Sequence, residues 1–338
     1  MERPVWPFSF EARRLRSTRT AFIHRQRFSK VTPEQSVQYR NSFLLLITAT
    51  IWGCGFVAQA LGMEHIGPFA FTWARSFIGG VFLLCLMPMF DRFQGTKKAD
   101  AASPWKSKTL WIGGFVCGTM LFISESLQQF GILYTTVGKA SFITALYIVI
   151  VPAVSFVFGR HVGGIKVWGA VALAVVGLYL LCMTDDAFSI GLGDLLVLAC
   201  AFSFSLHILV IDRYAPYVDA IRMSCLQFFV GSVWGMIMMM LFEPPSLEGM
   251  INAVWAILFA GVMSNGIAYT LQVVAQKGLN PTLASLIMSL ESVVGVLAGW
   301  LLLGQTLTMR EIAGCAVMAV AIILAQLPSS LFKRRSRS

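Results

Sequence analysis

Apolar runs of about 20 residues with few charges recur from residue 42 to residue 327, and they restrict the chain to one class of fold. A helix rising ~1.5 Å per residue needs about that length to cross ~30 Å of hydrocarbon. No water is present there to satisfy backbone N–H and C=O groups, so only helices or closed barrels can span. The runs lack the period-two alternation of barrel strands, which leaves helices. Ten runs can be marked, near 42–60, 69–89, 109–130, 138–159 and 164–183, then 193–211, 222–242, 251–276, 282–303 and 311–327. The expected fold is therefore all-α, a polytopic membrane protein of ten transmembrane helices.

Charge placement supports an even number of spans. Residues 1–40 hold nine Lys/Arg against three acids, residues 329–338 hold four against none, and the core between them has thirteen of each, so the net charge of +10 sits in the tails. Basic tails beside a membrane are topology signals drawn to anionic lipid, and they make nucleic acid an unexpected partner. Both tails and the alternate connections at 90–108, 160–166, 212–222 and 277 carry 23 Lys/Arg. The opposite connections carry one, Arg310, beside acids such as Glu64, Asp185, Asp186, Glu243 and Glu248. Ten spans put both termini in the cytoplasm, in the inner (plasma) membrane. Residues 1–41 lack the apolar core of a secretory signal and are expected to be a disordered cytosolic extension, with an Arg-rich organellar presequence as the alternative.

Lys139-Ala140-Ser141 can be laid on Leu283-Ala284-Ser285, with a polar loop, a long span, a Gly-containing hinge and a second span following in each case. Five helices per half is odd, so the second copy must run inverted, the architecture of alternating-access transporters. The expected division is 1–41 tail, 42–184 first five-helix repeat, 185–328 second repeat and 329–338 tail.

An ionisable side chain at mid-membrane costs about 2.5–3.5 kcal/mol even on the lenient scale, so it needs a partner or a wet cavity. Glu291, in the middle of run 282–303, lies too deep to reach outside water and must face the interior. It is either a cavity ligand and proton carrier or a Ser/Thr-bonded carboxyl tying two helices. Arg75 could snorkel to the outer interface or contact an anion in the cavity. Lys139 has the same two readings. Glu125 and Gln129, at i and i+4 with Gln128 beside them, form a polar cluster that lines a cavity or bonds between helices. Asn265, Tyr269 and Gln272 share one stripe, and His207 and Gln227 are further polar intrusions. His207 is a proton relay or a hydrogen-bonded structural histidine. Trp52, ahead of Gly53, Cys54 and Gly55, lies mid-span, lining a cavity or marking a bend. Gly114-xxx-Gly118 and Gly295-xxx-Gly299 are spacings for close helix packing.

Enzymatic signatures are missing. Gly138-Lys139 is followed by Ala140 and lacks the first P-loop glycine, and Asp185-Asp186 has no second carboxylate cluster. The seven cysteines lie in or beside apolar runs with no CxxC pair, so neither disulfides, a metal site nor a cofactor is expected.

Trp52 to Gln59, followed by Gly67-Pro68-Phe69 and Arg75-Ser76-Phe77, resembles the opening of EamA-domain proteins of the drug/metabolite transporter superfamily. So do Gln128-Gln129-Phe130-Gly131 and the stretch from Tyr134 through Lys139-Ala140-Ser141 to Pro152, and, in the second half, Gly193-Asp194, Leu290-Glu291-Ser292 and Gly299 to Gly304. The resemblance covers residues 42–327. It implies two inverted five-helix repeats around a central cavity and proton- or gradient-driven movement, commonly export, of metabolites such as amino acids. Two departures stand out: Gln305 where the family has Glu, and Ser292 where it has Pro, which puts that kink in question. Glu125 is unexpected in its helix. The expected substrate contacts are Trp52, Arg75, Glu125, Gln129, Lys139, His207, Tyr269, Gln272 and Glu291. The expected partners are a small-molecule substrate, membrane lipid and a coupling proton, in a monomer or homodimer. The alternative is a non-transporting membrane scaffold or sensor.

Overall fold

The computed structural model describes residues 33–93, 104–135, 137–158, 164–182, 191–244, 246–303 and 308–326, and all secondary structure among them is helical. Residues 1–32 and 327–338 and the Asp185-Asp186 loop lie outside the described residues, whereas residues 33–41, expected as the end of the N-terminal tail, are helical. Contacts divide the chain after Tyr39, and the packing below lies within Arg40–Ser338. The first half contains α1 (Pro33–Met63), α2 (Pro68–Phe93), α3 (Lys108–Tyr134), α4 (Val137–Ala145), α5 (Tyr147–Val157) and α6 (Ile165–Cys182). The second contains α7 (Leu192–Tyr214), α8 (Ala220–Phe242), the short α9 (Leu247–Asn252) and α10 (Val254–Leu258), a π-helical stretch Phe259–Tyr269, α11 (Thr270–Gln276), α12 (Pro281–Met288), α13 (Glu291–Leu303) and α14 (Met309–Gln326).

Among the described residues eight helical segments are long and apolar enough to cross a membrane, including Ala140–Val157, Val254–Gln276 and Pro281–Ala298, which join consecutive helices. Ile165–Leu180 is a shorter apolar helix. The surface is the reverse of a water-soluble protein's: Phe77, Leu84, Trp111, Phe115, Met240 and Leu301 point outward, while Arg75, Glu125, Gln129, His207, Asn265 and Glu291 are buried. Lipid is as apolar as Leu, so burying apolar side chains gains nothing and the interior is free to hold polar groups.

Two expected spans are broken mid-way. In run 138–159, α4 ends and α5 begins around Leu146, where Leu146 N–H donates to Ile143 O (3.1 Å) and Val149 N–H to Leu146 O (2.9 Å), both i→i−3 bonds. Pro152 lies one turn into α5, where it withholds a donor from the carbonyl of Ile148 and crowds it. Run 282–303 breaks at Ser289–Leu290, between α12 and α13, although Ser292 stands where a proline was expected. Serines act there instead: Ser285 Oγ donates to Thr282 O (2.9 Å) and Ser289 Oγ to Leu286 O (2.8 Å), occupying carbonyls a straight helix would bond. The questioned kink is thus present without its proline.

α2 packs along α8, α3 along α7 and α8, and α6 along α14. Gly118 lets α3 reach the α8 backbone, where an added Cβ would lie 2.5 Å from Gln227 O, as its GxxxG spacing foretold. The α2–α8 pair is tied at both ends. The Glu243 carboxylate, just past α8, accepts from Phe69 N–H (2.9 Å) and Ala70 N–H (2.8 Å) in the first turn of α2, where the helix dipole favours an anion. At the other end Arg222 of α8 meets Asp91 of α2 at 2.7 Å.

Gly53 sets how closely α1 approaches the broken helix, since a Cβ there would lie 2.6 Å from both Glu291 O and Val294 Cβ. Gly169 in α6 has nothing within 4 Å. Gly53→Ala should therefore cost about 1–3 kcal/mol through overpacking, read as a lower melting temperature of the detergent-purified protein. Gly169→Ala should leave that temperature unchanged; equal melting of both variants would contradict the contact.

Candidate functional site

The two breaks face each other. Tyr147, the first residue of α5, donates its hydroxyl hydrogen to Glu291 Oε1 at 3.0 Å, and Glu291 is the first residue of α13. Ser292 Oγ donates to Ser141 O (3.1 Å), tying α13 to α4. Both side chains of the Tyr147–Glu291 pair are buried, and both line a narrow cavity with about 490 Å³ of space free of atoms.

Every wall of this cavity is a helix face. α1 supplies Trp52, Phe56 and Gln59, at i, i+4 and i+7, and α2 supplies Arg75. Gln128 of α3 and Thr144 of α4 follow, joined by a bond from Gln128 Nε2 to Thr144 Oγ1 at 3.3 Å. Phe204, His207 and Ile208 come from α7, Ser264 and Tyr269 from the π-helical stretch, Gln272 from α11, and Met288 and Glu291 flank the second break. Aromatic rings crowd it: Trp52 and Tyr269 are 4.6 Å apart between centroids, and His207 meets Tyr269 edge-on at 5.9 Å. His207 Nε2 lies 3.2 Å from Gln227 Oε1 of α8, which leaves Nδ1 buried with no hydrogen-bond partner.

Of the nine expected contacts, Trp52, Arg75, His207, Tyr269, Gln272 and Glu291 line the cavity. The other three stand apart. Glu125 is 1% exposed and reaches Arg75 instead, with its Oε2 3.0 Å from Arg75 Nη2. That approach is a charge contact and not an aligned hydrogen bond, because neither carboxylate oxygen nor Arg75 Nη2 has a hydrogen-bond partner. A buried pair of this kind costs about 3–5 kcal/mol when one partner is removed, since the other charge is left uncompensated. Gln129 is fully buried with both amide atoms unpartnered, and its neighbour Gln128 takes the cavity position. The side chain of Lys139 lies outside the described residues. Asn265 turns to α2, donating to Ser76 Oγ at 3.4 Å.

Phe56, Gln59, Thr144, Tyr147 and Ser264 were not anticipated. Phe56 and Gln59 were within reach of sequence reasoning, because they share the helix face of Trp52. Tyr147 was not, because Pro152 signals a kink in that run without showing that Tyr147 would meet Glu291 across the bundle.

Among the described residues no group of three or more His, Cys, Asp or Glu side chains could hold a metal ion. The arrangement offers a carboxylate, a guanidinium paired from behind, amides and aromatic faces, which can hold and release a small solute.

Comparison with known proteins bears on the family and the fold. The chain is similar to an uncharacterized transporter of Archaeoglobus fulgidus, 26% identical over 287 residues covering 84% of each chain. It is also similar to the uncharacterized transporter YoaV of Bacillus subtilis, 24% identical over 83% of this chain and 94% of that one. A chloroplastic WAT1-related protein of Arabidopsis thaliana is 26% identical over 82% of this chain and 67% of its own length. One crystal structure superposes with a TM-score of 0.68 over 89% of this chain and 99% of its own, at 16% identity, which speaks for the fold alone. The EamA-like transporter family matches residues 41–183 and again 191–327, so the chain, a multi-pass membrane protein, belongs to the EamA-like transporter family.

Proposed function

We propose that this protein is a secondary active transporter that exports small metabolites, amino acids and compounds of that size, by alternating access through the central cavity. The observation that carries the reading is the meeting of two helix breaks at a buried Tyr147–Glu291 hydrogen bond. Breaks at membrane depth are tolerated where they line a cavity, and in corresponding positions of two halves they mark a transport site.

Register supports two inverted five-helix repeats. Laying Ser141 on Ser285 also lays Leu146 on Leu290, Tyr147 on Glu291 and Gln128 on Gln272, so break falls on break and cavity residue on cavity residue. The same relation pairs α2 with α8, two helices in extensive contact. In this reading α6 and α14 complete ten spans, and both termini are cytoplasmic in the inner membrane. Opening to either side then amounts to exchanging the conformations of the two halves around a fixed centre.

Glu291 is the proposed proton site. Its oxygen already accepts from Tyr147, and its place in the cavity lets solute and proton compete for one carboxylate. The purified protein in liposomes, screened by counterflow against labelled amino acids, amines, nucleosides and sugars, tests the reading. Exchange of at least one solute is expected, whereas exchange of none would favour a non-transporting scaffold. Glu291→Gln, which still accepts from Tyr147, should lose accumulation driven by a pH gradient while downhill exchange persists at a reduced rate. Undiminished accumulation would contradict the assignment.

Topology is open to a separate check. A cysteine at position 65, near the end of α1, should react with an impermeant maleimide on intact cells, and one at position 338 should react only after permeabilisation. Labelling of both from outside would contradict ten spans.

A further inference from the structure

Arg75 lines the cavity, yet its charge is already engaged. The Glu125 carboxylate approaches Arg75 Nη2 at 3.0 Å from outside the cavity wall, and the two side chains are 1% and 3% exposed. Phe71 lies against the same guanidinium, 5.8 Å from ring centroid to Cζ. A carboxylate arriving in the cavity would compete with an anion already in contact with the arginine, and like charges so placed reject a partner. Among the described residues the other charged group on the wall is Glu291, which neighbours the Trp52–Tyr269 pair in the lining. Aromatic faces next to a carboxylate suit an organic cation.

We propose that the cavity recognises an ammonium group, received by Glu291 and the Trp52, Tyr269 and Phe204 faces, and that Glu125 sets this selectivity by withholding Arg75 from carboxylates. Between two solutes that share an ammonium, the one without a carboxylate is preferred. The inference rests on the transport reading above and narrows its substrate class. Glu125 acts through Arg75, so it is a positioning residue that touches no solute. Its substitution should change which solute is chosen, and because it leaves Arg75 uncompensated it should also lower stability.

Choline and glycine betaine form a matched pair for the test, since both carry a trimethylammonium group and only betaine carries a carboxylate. In proteoliposomes of the full-length protein, choline counterflow should exceed betaine counterflow by about tenfold. Quenching of tryptophan fluorescence should rank the two in the same order. Glu125→Gln should free Arg75 and shrink that ratio severalfold by admitting betaine. The double variant Arg75→Gln/Glu125→Gln removes both charges and should restore the rejection, which a merely structural role for Glu125 would not produce. Should Glu125→Gln fail to fold, the wild-type ratio and the double variant decide. Equal handling of choline and betaine by the wild type, or a ratio that Glu125→Gln leaves unmoved, would overturn the inference. Exchange of other solutes without choline would overturn it alone, whereas exchange of nothing would sink the transport reading with it.

Discussion

One hydrogen bond, from Tyr147 to Glu291, sits where the fold and the site meet. A helix interrupted in hydrocarbon exposes carbonyls and N–H groups that lipid cannot satisfy, at several kcal/mol each. Here each interruption is covered by the other: α5 and α13 begin at the two bonded residues, Ser292 ties back to the Ser141 carbonyl, and Gly53 lets α1 close over the Glu291 carbonyl. The break thus persists only because the bundle is assembled around it. The cavity is what remains where two straight helices would have filled the space.

The rest of the molecule can be understood as support for that centre. The Glu243 carboxylate on the first turn of α2 and the Arg222–Asp91 pair at the far end hold α2 and α8 as one unit. Of the buried charges, Arg75 and Glu291 line the cavity and Glu125 compensates Arg75, whereas Asp194 and Arg222 lie at helix ends, and the outer surface is given to Phe, Leu, Trp and Met. At Leu146 and Ser289 i→i−3 bonds and a serine hydroxyl take the place of a regular ladder.

Much of the outline was legible because lipid imposes a strict length and polarity rule. The apolar runs fall on helices, and the depth of Glu291 alone required it to face inward, as it does with 5% exposure. What periodicity does not carry is rotational phase and partner choice between helices. Glu125 and Gln129 share a face of α3, but that face turns to α2, so Glu125 meets Arg75 from a helix fifty residues earlier while Gln128 reaches the cavity. The stripe of Asn265, Tyr269 and Gln272 was read on α-helical spacing, yet Phe259–Tyr269 winds as a π-helix, and Asn265 is rotated onto Ser76. The second break was hidden for a related reason: a proline would have announced it, and serines do the same work silently.

Alternating access, as proposed, requires that these broken helices enclose a wet pocket that opens to each side of the membrane in turn. A cysteine placed at Gln128, in a chain freed of its seven native cysteines, tests it directly in right-side-out and inside-out vesicles. Modification by a charged, impermeant thiosulfonate is expected from both faces, at rates that a transported solute alters. Reaction from one face only, or from neither under any condition, would contradict it.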